Sequence, residues 1–273
     1  MEGMFTFSAN LSTLFTELPF TERFAAAREC GFVAVECQFP FDHAPDELAA
    51  LLRANGLRMV LHNLPGGNPA AGDRGMACHP DRVGEFRAGV AQGITHALAL
   101  GVPQLNCLAG RQPAGVSDEQ ARATLVGNLR FAAAALRVHG LRLLMEPINT
   151  LDVPGFFVST ASQALALMDE VGADNLYLQH DLYHAQRMRG ELAGTLRALL
   201  PRIGHIQIAD NPGRGEPGSG EIHHRFLFDE LDRLGYSGHV GCEYFPLDKN
   251  TNGTRAGLAW LAAHGRQPNG RPL

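Results

Sequence analysis

Four apolar stretches decide the fold of this chain: LRLLME (141–146), NLYLQHD (175–181), IGHIQIAD (203–210) and HVGCEY (239–244). Each has the length and composition of a short buried strand, and turn-rich or polar sequence follows it. At or near the end of each run stands an acidic or amide side chain; the four are Glu146, Asp181, Gln207 and Glu243. If the runs are neighbouring parallel strands, these ends meet at one mouth. The pattern therefore predicts a divalent-metal site built from four oxygen-bearing side chains.

The same alternation of a short apolar run and a longer helical pattern occurs eight times. The predicted strands are 4–9, 32–37, 57–62, 102–107, 141–146, 175–181, 203–209 and 238–244. The predicted helices are about 19–29, 45–54, 80–99, 117–138, 159–170, 188–200, 223–233 and 252–264. Ser117 with Gln120 has the form of a capping box at the start of one of them. Eight units without a linker predict an α/β fold, a closed (β/α)8 TIM barrel.

We expect one barrel domain over residues 1–273, with a short C-terminal tail after about residue 265. A chain of this length can be either two small domains or one barrel of ordinary size. A doubly wound sheet is the alternative fold, but it would need a break in composition that the chain lacks.

Composition argues against several classes of partner and chemistry. The net charge is -5 and there is no basic run, so we expect no nucleic-acid partner. The chain has no apolar stretch of about 18 residues and no signal-peptide pattern, so we expect no membrane partner and a cytoplasmic location. Five cysteines without a CxxC pair indicate reduced thiols. Lys249 is the one lysine, so Schiff-base chemistry would depend on it. A homo-oligomer is compatible with the sequence, which does not determine the oligomeric state.

Strand alternation provides a test of the four side chains. In the last run Val240, Cys242 and Tyr244 share one parity, and the other parity leaves Glu243 facing into the barrel above Gly241. The other three runs pass the same test. One inward carboxylate is as often a structural ion-pair partner as a functional group, but three at one height favour a bound cation. Oxygen ligands with one amide suit Mg²⁺ or Mn²⁺ better than zinc, which prefers imidazole or thiolate.

Other polar residues near the predicted mouth are candidates for substrate binding. We expect His62 and His184 to contact the substrate. The segment DNPGRGEPGSGE (210–221) is rich in Gly and Pro and predicts a loop that covers the mouth. Arg214 in this loop could pair with a substrate carboxylate or remain solvated. Deeper in the barrel, we expect His205 to be a hydrogen-bonded core residue.

At the strand ends and in the loops after them, the chain resembles the hydroxypyruvate isomerase family, within the xylose-isomerase-like barrels. The motifs that carry the resemblance are FSANLSTLF, LHNLPGGNPAAGDRG, LNCLAG, MEPIN, PGFF, DLYHAQRMRGEL, GHIQIADNPGRGEPGSGEI and GCEY. The resemblance runs from about Met4 to the eighth helix and leaves out the tail after about Gly265. It implies isomerisation of a small 2-oxo acid, hydroxypyruvate, to 2-hydroxy-3-oxopropanoate, also called tartronate semialdehyde.

The resemblance also implies roles for single residues. In related metal-dependent ketose epimerases, two glutamates flank the substrate and share a metal with an aspartate and a His or Gln. Glu146 in MEPIN and Glu243 in GCEY would be the catalytic acid and base, and Asp181 would be a further metal ligand. Gln207 would complete the metal shell, at a position where the epimerases often have histidine. The matches to positions that hold substrate oxygens are His184 and Arg214.

The residues suit this chemistry independently of the resemblance. Moving a carbonyl between adjacent carbons requires that a proton be removed and returned one carbon away, through an enediolate whose charge must be stabilised. The nearest alternative is an isomerase or epimerase of 2-oxo-tetronate or a related sugar acid, which would use the same site with a longer pocket. A lyase for an inosose-type ring would need a larger pocket, and a metal phosphoesterase would need more inward histidines. A non-catalytic barrel that binds sugar acids is disfavoured because both glutamates are intact.

Overall fold

The computed structural model describes residues 5–249 and 253–272. The start of the first predicted strand, Met4, and the start of the last predicted helix, at residue 252, lie outside the described residues. The strands of the described part are β1 (Thr6–Asn10), β2 (Ala34–Cys37), β3 (Arg58–Asn63), β4 (Gln104–Cys107), β5 (Arg142–Met145), β6 (Leu176–Asp181), β7 (Ile203–Ile208) and β8 (His239–Cys242). Each strand falls within a predicted strand or extends one residue beyond it, so the periodicity of the sequence located all of them.

The strands form a closed barrel in which each pairs in parallel with the next, and β8 pairs with β1. The predicted (β/α)8 fold is therefore confirmed. Side chains alternate across the barrel wall as the sequence predicted: Val240 and Cys242 belong to the large apolar core between strands and helices. Leu144 has the opposite parity and belongs to a small separate apolar cluster with Ala34 inside the barrel. This inner cluster fills part of the barrel interior. The polar residues at the carboxyl ends of the strands form the mouth above it.

Helices connect the strands on the outside of the barrel. The α-helices of the described part are α1 (Arg23–Glu29), α2 (Pro45–Asn55), α3 (Val83–Leu100), α4 (Asp118–Arg137), α5 (Ala161–Val171), α6 (Leu182–Met188), α7 (Leu192–Leu199), α8 (His224–Arg233), α9 (Gly253–Gly257) and α10 (Ala259–Ala263). Short 3₁₀ helices cover Phe20–Glu22, Pro69–Ala71, Pro80–Arg82 and Leu200–Arg202. The capping box of Ser117 and Gln120 is present at the start of α4, as predicted.

The segment after β6 differs from the prediction of a polar turn and one helix over 188–200. In the structure α6 begins at Leu182, directly after the strand, and α7 follows separately. The physical reason is that Asp181 caps α6: its side chain accepts a hydrogen bond from the Tyr183 backbone N–H at 2.8 Å. The strand therefore passes into a helix without a turn, and this geometry places His184 on the first turn of α6, at the mouth.

A β-bulge in β3 changes which side chains reach the mouth. Val35 pairs with Met59, but the next residue of β2 pairs with Leu61, so that Val60 is an extra residue in the register. Both Val60 and Leu61 belong to the inner apolar cluster. The alternation is therefore reversed beyond the bulge.

The predicted C-terminal tail packs on the barrel. Arg266 is 4% exposed, forms an ion pair with Asp232 at 2.7 Å and lies over the ring of Phe5 at 5.2 Å. The chain after residue 265 therefore contacts both α8 and the residue that precedes β1. Within residues 5–249 and 253–272, no helix is long and apolar enough to cross a membrane.

Candidate active site

A cavity of about 380 Å³ opens at the carboxyl ends of the strands. The side chains that line it with charged or hydrogen-bonding groups are Gln38, Asn63, Asp73, Arg74, Glu146, His184, Arg214 and Glu243. Apolar walls come from Phe39, Leu108, Ile148, Val153 and Phe245. A cavity near the lower end of the usual range for small-molecule sites, roughly 300–1,000 Å³, suits a compact ligand.

A larger cavity of about 630 Å³ lies outside the barrel, between α5 and α7, with His180 in its wall. Asp181 contributes to its wall, but Glu146 and Glu243 do not. Size alone would therefore select the wrong place. The convergence of polar groups identifies the smaller cavity at the mouth as the candidate active site.

Glu243 directly follows β8 and is 5% exposed. Both of its carboxylate oxygens accept hydrogen bonds; the donors are Arg214 at 2.7 Å, Gln38 at 3.0 Å, Asn10 at 2.9 Å and Gln207 at 2.6 Å. Burial raises the pKa of Glu243 to about 7; the charge of Arg214 opposes the rise and that of Asp181 adds to it. A carboxyl group with a pKa near neutrality can both take up a proton and return it.

Glu146 directly follows β5 and faces the same cavity. Its Oε2 accepts a hydrogen bond from the Asn106 side chain at 2.9 Å. Burial raises the pKa of Glu146 well above its usual value, and the charges of Glu243 and Asp181 add to the rise. Like charges raise a pKa in this way only when they are close. The two glutamates and the aspartate that the sequence singled out therefore lie together.

Asp181 is 2% exposed, and burial raises its pKa. Its Oδ1 caps α6, whereas its Oδ2 is buried and has no hydrogen-bond partner within the described residues. The nearest cationic or imidazole groups to this oxygen are the His184 Nε2 at 3.7 Å and an Arg214 nitrogen at 3.9 Å. An unpartnered buried carboxylate oxygen is costly, and it marks the point where a bound cation would be stabilised most.

Gln207 lies one layer below the carboxylates. Its Nε2 donates to Glu243 at 2.6 Å and to Glu36 at 2.9 Å, and its Oε1 accepts from Gln179 at 2.6 Å. The amide therefore holds Glu243 in place. Its oxygen is already engaged by Gln179, so Gln207 could act as a metal ligand only after its amide turned over.

Glu36 anchors this lower layer. It is fully buried and accepts hydrogen bonds from Ser8 at 2.7 Å, from Gln207 and, at 2.8 Å, from His205 Nε2. Burial raises the pKa of Glu36, but the charge and hydrogen bond of His205 and the other donors outweigh it, and the net pKa is lowered. The structure thus places His205 where the sequence predicted, as a hydrogen-bonded core residue.

His184 presents a defined tautomer to the cavity. The Asn149 amide oxygen accepts hydrogen bonds from the backbone N–H groups of Leu151 at 3.1 Å and Asp152 at 2.8 Å, so its nitrogen is the group that faces His184 Nδ1, at 2.6 Å. The Nδ1 atom is therefore an acceptor. Burial lowers the pKa of His184 well below its usual value, and nearby arginines lower it further. The ring is neutral and carries its proton on Nε2.

The Nε2 atom of His184 lies 4.0 Å from Glu146 and 3.7 Å from Asp181. Ligand atoms of these three residues lie within 4.8 Å of one another and could in principle surround an ion. A protonated ring nitrogen has no lone pair for a metal, so we assign His184 as a hydrogen-bond donor toward the cavity. His184 lines the cavity, and its substrate-binding role stays a prediction.

Arg214 reaches the cavity from the loop after β7. It adopts a left-handed backbone conformation with φ of 55°, which is uncommon for a residue with a side chain and indicates a constrained position. Its guanidinium group lies over the rings of Tyr183 at 5.3 Å and Phe245 at 5.7 Å. One of its nitrogens donates to Glu243, so the loop does cover the mouth, and Arg214 is paired rather than solvated.

His62 does not reach the cavity. Because the bulge at Val60 reverses the alternation, His62 faces outward and packs edge-on against the ring of Phe41 at 5.8 Å. Its neighbour Asn63 lines the cavity instead and accepts a hydrogen bond from Asn106 at 3.1 Å. The expectation that His62 contacts the substrate is therefore corrected in favour of Asn63.

The residues present fit a divalent cation. Three carboxylates at the mouth face one guanidinium group and one neutral imidazole, and all three have raised pKa values. Burial is the main cause of each rise, and the charges of neighbouring carboxylates add to it, so one guanidinium group does not balance the three negative charges. The unpartnered oxygen of Asp181 and the oxygen-rich donor set match the preferences of a hard ion such as Mg²⁺ or Mn²⁺.

Comparisons with known proteins agree with the fold and the motifs. The sequence profile of the family described as "Xylose isomerase-like TIM barrel" matches residues 24–264. Hydroxypyruvate isomerase of Escherichia coli K12 is 52% identical over 258 residues, which cover 94% of this chain and 98% of that protein. 2-Oxo-tetronate isomerase of Cupriavidus necator is 45% identical over 255 residues, which cover 93% of this chain and 96% of that protein.

A solved structure gives the same architecture. The crystal structure described as AP endonuclease, family 2, from Brucella melitensis superposes with a TM-score of 0.91 and 42% identity, covering 95% of this chain and 99% of that one. The described barrel therefore has the fold of a solved relative along nearly its whole length.

Proposed function

The chain belongs to the xylose isomerase-like TIM barrel family and is an isomerase, and from this premise we propose that it interconverts hydroxypyruvate and 2-hydroxy-3-oxopropanoate. The observation that carries the proposal is the meeting of Glu146 and Glu243 in one cavity, where burial raises the pKa of both and the charge of Glu243 adds to the rise at Glu146. The 52% identity to a hydroxypyruvate isomerase supports the choice of substrate.

The reaction moves one proton between neighbouring carbons. In hydroxypyruvate a proton leaves C3, an enediolate forms across C2 and C3, and a proton returns to C2. The hydroxyl proton passes from the oxygen on C3 to the oxygen on C2, which leaves an aldehyde at C3 and a hydroxyl at C2. We propose that one glutamate removes the first proton and the other delivers the second. The raised pKa of both groups suits this exchange, because a carboxyl with a pKa near the working pH is a base before the transfer and an acid after it.

The enediolate carries negative charge on its oxygens, and hydrogen-bond donors in the cavity would stabilise that charge. The Nε2–H of His184 points into the cavity. Because the neutral ring already carries its proton on Nε2, it can donate a hydrogen bond to such an oxygen. Asn149 holds the ring in this orientation through the bond to Nδ1. Arg214 keeps Glu243 in position and retains an Nε with no partner within the described residues. Both residues can therefore stabilise developing charge.

We propose Glu146, Asp181 and Glu243 as the ligands of a divalent metal, Mg²⁺ or Mn²⁺, with Gln207 as a fourth ligand if its amide turns. When bound, such an ion would polarise the substrate carbonyl and neutralise the enediolate. The support is the shortage of positive charge among the carboxylates and the unpartnered Asp181 oxygen.

Activity and metal dependence are tested by a coupled assay. The purified protein should convert hydroxypyruvate, lose this activity after chelation, and recover it with Mg²⁺ or Mn²⁺ but not with zinc. Asp181→Asn should weaken Mn²⁺ binding, measured by calorimetry, while circular dichroism shows a folded barrel. Full turnover by a preparation shown to be free of metal would refute the metal proposal. Absence of hydroxypyruvate turnover in the presence of Mg²⁺ and Mn²⁺ would refute hydroxypyruvate as the substrate.

A second candidate substrate is 2-oxo-tetronate, because a 2-oxo-tetronate isomerase is 45% identical over nearly the whole chain. The two substrates share a carboxylate beside a 2-oxo group and differ in length by one carbon. A comparison of kcat/KM for both acids would decide between them, since the better substrate is the one whose transition state the cavity binds more tightly.

A further inference from the structure

Arg74 is a second cationic side chain in the wall of the active cavity. The charged residues that line this cavity are two arginines, Arg74 and Arg214, and the acidic residues Asp73, Glu146 and Glu243. The two arginines differ in their engagement. Arg214 donates to Glu243 at 2.7 Å and lies 3.9 Å from Asp181, so its charge compensates the carboxylates of the mouth.

The Arg74 guanidinium group is not paired with any acidic side chain of the described residues. Its one hydrogen bond within the described part of the chain runs from an NH1 nitrogen to the backbone oxygen of Asp73 at 2.7 Å. A guanidinium group has five N–H donors, so most of its donors are free to bind an acceptor that enters the cavity.

The loop that carries Arg74 is held in a defined shape. The Gly75 N–H donates to the Gly66 oxygen at 3.0 Å and closes the base of the loop. The carboxylate of Asp73 accepts from the Asn68 N–H at 2.7 Å and from Arg82 at 2.9 Å. The backbone on either side of Arg74 is therefore fixed, and the side chain is presented to the cavity from a stable platform.

The backbone of this loop also meets the loop after β4. Gly75 has φ of 105° and forms an isolated antiparallel bridge with Ala109, and the Gly72 oxygen accepts from Arg111 at 3.0 Å. A Cβ at Gly75 would lie 2.6 Å from the Leu108 backbone oxygen, so the close approach requires glycine. The two loops thus form one wall of the cavity.

The charge distribution of the cavity sets the orientation of an acidic substrate. The reacting carbons of a 2-oxo acid must lie near Glu146 and Glu243, but the substrate carboxylate is repelled by those groups. It must point to a part of the wall that offers unpaired positive charge. Among the lining residues of the described structure, that group is Arg74.

We propose that Arg74 binds the substrate carboxylate and selects 2-oxo acids over neutral ketoses of the same size. The fork of the guanidinium group matches the two oxygens of a carboxylate. This inference rests on the proposed function for the identity of the substrate, and it assigns to Arg74 the carboxylate contact that the sequence suggested for Arg214.

The test compares Arg74→Ala and Arg74→Lys with the wild-type protein and with Arg53→Ala, which removes an exposed arginine from α2, outside the active cavity. For hydroxypyruvate, Arg74→Ala should raise KM by about 10- to 100-fold with kcat changed by less than about threefold, as expected when a binding contact to a charged group is lost. Arg74→Lys should recover part of the loss because it keeps the charge but not the fork. Arg53→Ala should leave both constants unchanged.

A matched pair of ligands separates the carboxylate from the rest of the substrate. D-Glycerate and its neutral amide, D-glyceramide, have the same size, and their binding can be measured by calorimetry in the presence of Mg²⁺. Arg74→Ala should weaken D-glycerate at least about tenfold and leave D-glyceramide unchanged. If KM and D-glycerate affinity are unchanged in Arg74→Ala, or if D-glycerate does not bind the wild-type protein, the inference is wrong.

The same titration keeps this inference apart from the proposed function. If the wild-type protein binds D-glycerate through Arg74 but does not turn over hydroxypyruvate, the proposed reaction fails and the carboxylate contact stands. If turnover is normal and only the Arg74 effects are missing, the reaction stands and the carboxylate contact fails.

Discussion

The pair of Glu146 and Glu243 combines two demands that conflict in water. A base must be ionised at neutral pH, and an acid must hold its proton there. Burial raises the pKa of both groups, the charge of Glu243 adds to the rise at Glu146, and the charge of Asp181 adds to it at both. The hydrogen bonds to Glu243 from Arg214 and Gln207 keep its carboxylate oriented. In the proposed reaction, this environment would let each glutamate exchange a proton with a small planar intermediate.

Glu146→Gln and Glu243→Gln test the two-base proposal. Each change keeps the size of the side chain and an oxygen but removes the base, so kcat should fall by at least about 10²-fold while the fold is retained. In D₂O the wild-type product should acquire deuterium at the carbon that receives the proton, which mass spectrometry can measure. The control is Gln120→Glu on the exposed first turn of α4, which exchanges the same two residue types in the opposite direction. It should leave kcat unchanged.

The opposite result would favour a different mechanism. If both glutamine variants remained substantially active and the product carried no solvent deuterium, the hydrogen would move within the substrate as a hydride. The two-base proposal would then be wrong, although the metal proposal could still hold.

At the level of elements, β8 depends on a close contact at Gly241. A Cβ at this position would overlap with the carboxylate of Glu36, which lies across the barrel interior. The glycine therefore makes room for Glu36, and Glu36 in turn holds Gln207 beneath Glu243. Strand alternation predicts Gly241 below Glu243, but the local sequence does not show which side chain from another strand fills the space.

Gly241→Ala should destabilise the protein and lower its activity together. Overpacking a rigid interior costs about 1–3 kcal/mol, and the displaced Glu36 would disturb the hydrogen bonds to Gln207 and His205. Urea unfolding measures the stability, and the coupled assay measures kcat/KM.

Gly127→Ala in α4 is the matched control, because Gly127 is exposed and nothing lies within 4 Å of its added Cβ. Alanine should stabilise this helix by about 0.5–1 kcal/mol. Equal effects of the two substitutions would contradict the proposed role of the contact with Glu36.

The bulge in β3 shows where strand alternation fails as a guide. Strict alternation cannot describe a strand with an extra residue, and Val60 is not marked by any glycine or proline that would signal a bulge. The prediction for His62 was wrong for this reason. Three other residues were missed for a different reason: Asn149, Gln38 and Arg74 lie in loops. Loop sequence has no periodic pattern that predicts where a side chain points.

At the scale of the whole molecule, buried neutral histidines make the stability depend on pH. Burial lowers the pKa of His62, His224 and His239 to about 4. In the unfolded chain these groups take up protons below about pH 6.5, so the unfolded state binds more protons between about pH 4 and 6.5. Their contribution to stability is therefore complete above pH 6.5 and is lost as the pH falls toward 4.

These histidines alone should lower the free energy of unfolding between pH 7 and pH 5, by up to about 2 kcal/mol for each fully buried histidine. The raised pKa of Glu243 acts in the opposite direction over the same range, so the histidine contribution is measured as the difference in slope between a histidine variant and the wild-type protein, by urea unfolding at a series of pH values. His62→Phe, which keeps a ring beside Phe41, should lose less stability than the wild-type protein as the pH falls from 7 to 5, whereas the same change at the exposed His139 should leave the slope unchanged. An identical slope in His62→Phe and the wild-type protein would contradict this account.

Three expectations about the whole molecule stay predictions. We propose that the chain forms a single barrel domain that includes the segment after residue 265, since Arg266 packs on α8 and Phe5. A single cooperative unfolding transition, followed by two different probes, would support this. The cytoplasmic location and a homo-oligomer need localisation in cells and measurement of the mass in solution.

The sequence by itself determined the fold of this protein and where its candidate site residues would meet. Eight apolar runs with helical segments between them permit few arrangements other than a closed barrel, and the barrel then brings all strand ends to one mouth. Glu146, Asp181 and Glu243 could be identified because a residue at a strand end has a position that the fold alone dictates. The alternation of apolar runs and helical segments can be read from short stretches of sequence, so local sequence was sufficient to predict the fold.

Only the tertiary structure decided how these groups interact. The tautomer of His184 depends on Asn149 from another loop, the position of Glu243 depends on Gln207 and Arg214, and the free charge of Arg74 depends on what Asp73 and Arg214 already bind. Hydrogen bonds and charges act between residues that are far apart in the chain. Their balance is set by distances and burial, which exist only once the barrel has closed.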